Sequence, residues 1–198
     1  MFERYNKVQK AVLETTLHLI IDRELQATSM SLIAKDSGVS TGNIYHYFSS
    51  KEDIINELYK AIVLFNGEFV TKDLNKADSV KERFHQAWRS VFELGMKYPK
   101  GFRFIEQYSF SPYIYEQTKE EAINSGWCGP LEKLYEQAVN EGIFVSLEPR
   151  MMVQMHYGSI VYLLKLYQRN SQDLTEEIVG KAILACWNAV SKEKGSNS

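Results

Sequence analysis

The chain has 198 residues, of which 44% are hydrophobic and 24% charged, with a formal net charge of −2. That is ordinary globular usage on a chain long enough to bury a sizeable core, so disordered and fibrous classes are excluded. The near-neutral balance also excludes a protein that coats nucleic acid indiscriminately.

The elements read as helix after helix, without two-residue alternation, so the predicted class is all-α with about nine helices. Over roughly Tyr5 to Glu24, Val8, Val12, Leu13, Leu17, Ile20 and Ile21 recur at three- and four-residue spacing and draw one apolar stripe. Thr28 and Ser29 offer N-cap oxygens to a short second helix through Ile33 and Ala34, which Gly38 stops. Ser40 opens a third helix carrying Ile44, Tyr47 and Phe48, with the last two expected in the core. Ser50 and Asp53 form a capping-box pattern that starts a fourth.

Beyond Thr71 the helices lengthen. Val80 to Phe92 define a fifth helix, which Pro99 ends near Tyr98, and shorter pieces are expected over Phe102 to Tyr115. Gly126 to Pro130 breaks the chain again before a helix from about Leu131 to Asn140. Pro149 to Tyr167 is apolar on nearly every side and needs cover from more than one direction. A last helix carries Leu174, Ile178, Ile183, Trp187 and Val190, and the polar tail from Lys192 onward is expected to fray.

The stretch from Thr28 to Phe48 carries the function. Two helices joined by a tight turn need a small residue where they approach and a residue that tolerates left-handed geometry at the turn. Ala34 and Gly38 meet those demands, while Ile33, Val39 and Ile44 fill the wedge. Ser40, Thr41, Gly42 and Asn43 are left on the first turn of the second helix, the end that enters a major groove in a helix-turn-helix. Asn43 offers a donor and an acceptor to an adenine edge, Thr41 a hydroxyl or a methyl, and Gly42 permits close backbone approach. Tyr45 and His46 lie farther along the same helix, Lys51 is placed for a phosphate, and Thr28 and Ser29 are candidates for a second phosphate. Residues 1–60 hold seven Lys/Arg against eight Asp/Glu, so their charges must be sorted by face if this segment meets DNA.

These residues resemble a known pattern. Ile33-Ala34, Gly38-Val39-Ser40, Gly42, Ile44-Tyr45-His46-Tyr47-Phe48 and Ser50-Lys51-Glu52 are similar to the DNA-binding head of the TetR (TetR/AcrR-like) family, over residues 5 to about 60. Met30 departs from the β-branched or small aliphatic residue usual there. The resemblance implies a helix-turn-helix domain at residues 1–50 and a regulatory and dimerisation domain at 51–198, with 51–70 as a linking helix. It further implies a homodimeric repressor on palindromic operator DNA, released by a small effector and needing no cofactor.

Beyond about residue 70 roles do not carry over from the family and rest on chemistry alone. Trp88, Phe104, Tyr108, Trp127, Tyr157 and Tyr162 supply rings and hydroxyls for an apolar or aromatic effector. The last two helices offer Met155, Ile160, Leu163, Leu164, Ile178, Ile183 and Trp187 to a four-helix dimer interface.

His18, His46, His85 and His156 are scattered, and neither a phosphate-binding glycine loop nor a nucleophile elbow occurs, so neither catalysis nor a metal site is expected. Cys128 and Cys186 lack metal-ligand spacing and are expected as reduced, structural thiols. With no apolar run long enough to span a bilayer and no signal-peptide core in Met1 to Lys10, the expected location is cytoplasmic. The alternative is a helical interaction module that keeps the head's fold without reading DNA.

Overall fold

A computed structural model describes residues 1–170 and 174–192, and these form ten helices. They are α1 (Lys7–Arg23), α2 (Met30–Ser37), α3 (Thr41–Tyr47), α4 (Lys51–Thr71), α5 (Val80–Lys97), α6 (Pro99–Tyr108), α7 (Glu116–Ser125), α8 (Cys128–Asn140), α9 (Pro149–Arg169) and α10 (Glu176–Val190). Residues 193–198, where the tail is expected to fray, lie outside the described residues. No helix among the described residues is long and apolar enough to cross a membrane.

The structure differs from the sequence reading at two prolines. Pro99 does end α5, but it also occupies the first turn of α6, where its missing N–H costs nothing and its fixed φ suits the helix. Residues 99–108 form a ten-residue helix, and the chain leaves helix over 109–115, around Ser111 and Pro112. Pro130 likewise sits in the first turn of α8, which begins at Cys128 instead of Leu131.

The chain forms two compact units, residues 1–66 with 98–126, and residues 67–97 with the described residues from 127 onward. In the first unit α1 packs on α2, α3 and α6 around Val12, Leu13, Ile20, Ile33, Ile44, Leu58, Phe104 and Tyr108. The start of α1 is fixed by a capping box in which Asn6 Oδ1 accepts the Gln9 N–H at 3.0 Å and Gln9 Oε1 accepts the Asn6 N–H at 3.4 Å. Its end is strained, because Glu24 takes φ 67° and ψ 162°, a region that favours glycine. The buried Thr28 hydroxyl donates to the Glu24 carbonyl at 2.9 Å and braces that turn.

In the second unit α5 packs on α8, α9 and α10 around a cluster of rings that includes Phe84, Trp88, Tyr135, Phe144 and Trp187. α5 and α9 meet at Gly95, where a Cβ would stand 2.6 Å from Leu164 Cδ1. The end of α10 is pinned by an antiparallel bridge between Phe144 and Ser191, with the Val145 N–H donating to the Val190 carbonyl at 2.8 Å. Cys128 and Cys186 are both free, and burial pushes each thiol up to about 11.

Candidate nucleic-acid interface

The head is positioned by local chemistry that places one helix almost wholly in solvent. α2 starts on Ser29, whose Oγ accepts the Leu32 N–H at 3.2 Å, and stops at Gly38, whose φ of 69° is the left-handed cap a side chain would resist. Ile33 and Ile44 are fully buried between the helices, and Ala34 and Val39 are half-buried at the turn. Ser40 caps α3 by accepting the Asn43 N–H at 3.3 Å.

Six of the seven residues of α3 are exposed, and Ile44 alone is buried. Thr41, Gly42, Asn43, Tyr45 and His46 thus stand together on an open surface, with Tyr45 at 51% exposure. A Cβ built on Gly42 meets nothing within 4 Å, so this position is open to an approaching surface. Residues 37–49 carry neither an acid nor a Lys or Arg, while Glu57 is paired with Lys60 at 2.7 Å and Asp53 accepts the Ser49 hydroxyl. Ser50 caps α4 as expected, accepting the Asp53 N–H at 3.0 Å.

Two expected phosphate contacts change character. Thr28 is fully buried and its hydroxyl is committed to Glu24, so it supports the turn and has no face for a phosphate. Ser29, one residue on, is exposed and keeps that possibility. Lys51 is half-buried and its Nζ donates to the Leu25 carbonyl at 3.4 Å, tying α4 to the turn before α2. Tyr47 is the residue the sequence reading missed. Expected in the core beside Phe48, it is 38% exposed and stands edge-on to His46 at 4.9 Å, extending the polar face of α3.

The six candidate effector residues do not form one group. Phe104 and Tyr108 belong to the core of the first unit, their rings 5.1 Å apart. Tyr162 is 70% exposed, with no enclosure on this protomer. Trp88, Trp127 and Tyr157 do come together in the second unit, with ring centroids 5.9 Å apart for the two tryptophans and 5.0 Å for Trp127 and Tyr157. Two polar residues that the sequence reading passed over join them, Tyr135 and His156, both buried.

The expected interface residues also divide. Ile160, Leu164, Ile183 and Trp187 are buried within the protomer and cannot face a partner. Leu164 is seated against Gly95, and Trp187 meets the rings of Phe84 and Phe144 edge to face at 5.2 and 5.1 Å. Met155 is 61% exposed, and Leu163 and Ile178 are half-buried. The outward apolar stripe of α9 is instead Met151, Met155, Tyr162 and Leu166, with Leu184 exposed on α10.

A capped, left-handed turn joining two short helices, the second exposed along its length, defines a helix-turn-helix protein that also carries a larger helical domain. The description of bacterial regulatory proteins of the TetR family matches residues 12–58, and that of the tetracyclin repressor-like C-terminal domain matches residues 50–192. The chain belongs to the TetR family and is a transcriptional regulator of that type. It is 22% identical to an uncharacterized HTH-type transcriptional regulator of Haemophilus influenzae, over 91% of this chain and 94% of the relative. It is 25% identical to the fatty acid metabolism regulator protein of Bacillus subtilis, over 81% of this chain and 84% of the relative. A TetR family transcription regulator from Marinobacter aquaeolei shares the fold with a TM-score of 0.86 at 21% identity, covering 97% of this chain and 100% of that one.

Proposed function

We propose that this regulator is a ligand-responsive repressor that binds a palindromic operator as a homodimer. Residues 1–50 form the reading head and residues 51–198 the sensing and dimerising domain. One observation carries the reading: α3 exposes every residue but Ile44, on a segment free of acidic side chains. Thr41, Asn43 and Tyr45 are the base-reading candidates, with Ser29, His46 and Tyr47 at phosphates.

The exposed stripe of Met151, Met155, Tyr162 and Leu166 on α9, with Leu184 on α10, supports pairing through the last two helices. The effector is apolar or aromatic, as the ring cluster of the second unit favours, and the name of the Bacillus subtilis relative points to the same chemistry. To empty the operator, an effector must bind the DNA-incompetent form by about 5 kcal/mol more tightly than the competent one.

The test is Asn43→Ala combined with Tyr45→Ala. A repressor loses operator selectivity while its melting point and dimer mass stay unchanged, since both side chains are exposed. A helical interaction module would show no change in any DNA assay.

A further inference from the structure

Three buried polar side chains from α5, α8 and α9 form one chain inside an otherwise aromatic cluster. Trp88 Nε1 donates to the Tyr135 hydroxyl at 2.8 Å, and that hydroxyl lies 2.5 Å from His156 Nδ1. The indole N–H can only donate, so the Tyr135 oxygen receives it and the Tyr135 proton goes on to His156 Nδ1. The opposite polarity would leave the Tyr135 proton without an oxygen or nitrogen acceptor among its described hydrogen-bond partners, Trp88 and His156. Burial agrees, pushing the His156 pKa down to about 4 and keeping the ring neutral. His156 therefore carries its proton on Nε2, and this donor is the one polar group that the relay leaves over.

The surroundings define what such a donor can meet. Rings of Trp88 and Phe84 lie 5.8 Å from His156, and Trp127 and the half-buried Tyr157 continue the run from Trp88. A polar ring placed in an apolar interior carries a desolvation cost that Leu or Phe would not, and a packing role alone asks nothing of Nε2. Resting on the reading of an effector-responsive regulator, the geometry points to His156 as the group that recognises the effector. It donates from Nε2 to a single acceptor oxygen, a ketone, ester or thioester carbonyl, on a molecule otherwise apolar and held among Trp88, Trp127 and Tyr157. Tyr135 is a positioning residue that fixes the histidine tautomer through Nδ1.

The experiment uses the full chain with 15N-labelled histidine and a matched pair of probes, acetophenone and ethylbenzene, which differ only by the carbonyl oxygen. The ligand-free spectrum should show the His156 proton on Nε2. Acetophenone should move that resonance and bind about tenfold more tightly than ethylbenzene, the worth of one hydrogen bond in a dry site. His156→Phe should bind both probes equally, and Tyr135→Phe should lose the tautomer preference and part of the selectivity. A proton found on Nδ1, a His156 signal that neither probe moves, or a selectivity unchanged in His156→Phe would overturn the assignment. The spectra of the parent protein decide the matter even if a variant fails to fold. Operator affinity without probe is read separately, so failure of the regulator reading shows there and failure of the His156 assignment shows in the probe pair.

Discussion

Asn56 holds the loop between α6 and α7 onto α4, and its removal has a calculable effect. The side chain is 4% exposed, its Nδ2 donates to the Glu52 carbonyl at 2.8 Å and to the Tyr113 carbonyl at 3.1 Å, and its Oδ1 accepts the Tyr115 N–H at 2.8 Å. Asn56→Ala leaves the Tyr113 carbonyl and the Tyr115 N–H without these partners. Both belong to exposed residues that water can partly serve, so the low end of the range applies, about 1 kcal/mol for each and about 2 kcal/mol together. For a chain of this length that lowers the melting point by about 4 to 8 °C. Thermal unfolding at fixed protein concentration measures it, because the melting point of a dimer moves with concentration. Amide exchange at Tyr115 should quicken in parallel. A melting point within about 1 °C of the parent would refute the clamp.

Further outcomes follow from strain, packing and burial. Glu24→Gly relieves the positive φ at the end of α1 and should raise the melting point by about 2 to 4 °C, whereas Glu24→Ala should give no gain. Gly95→Ala drives a Cβ against the fully buried Leu164 and should cost about 1 to 3 kcal/mol by denaturant unfolding. Gly101→Ala meets the flexible end of Met1 at 2.8 Å and Ile62 Cγ2 at an ordinary 3.6 Å, and should be near neutral in the same assay. His156 has a folded pKa lowered by burial to about 4, so the unfolded chain binds its proton more readily. Stability contributed by the neutral ring should be intact above about pH 6.5 and fall as the pH drops toward 4. His156→Phe should flatten that limb of the stability curve.

The head was legible because its determinants are local. Ser29, Gly38, Ser40 and Ser50 act on the backbone within a turn of themselves, and the spacing of Ile33, Val39 and Ile44 fixes which sides meet. Errors there came from single steps of register: Thr28 and Ser29 are adjacent hydroxyls of which one caps and one braces, and Tyr47 and Phe48 are adjacent rings of which one is buried. In α9 the sequence is apolar on nearly every side, so periodicity could not tell Ile160 and Leu164, which point inward, from Met155 and Tyr162, which point out. The Trp88, Tyr135 and His156 relay joins three helices distant in sequence, and its only local trace is a histidine within an apolar helix. Pro99 and Pro130 were read as breaks because the same fixed φ that ends one helix also starts the next.

Selection of bound sequences from a random DNA pool tests the central claim most directly. Two copies of the exposed α3 held by a two-fold axis should enrich inverted repeats with one fixed spacing, and that enrichment should vanish for the Asn43→Ala, Tyr45→Ala protein. Recovery of unenriched sequence, or of single sites without symmetry, would contradict it.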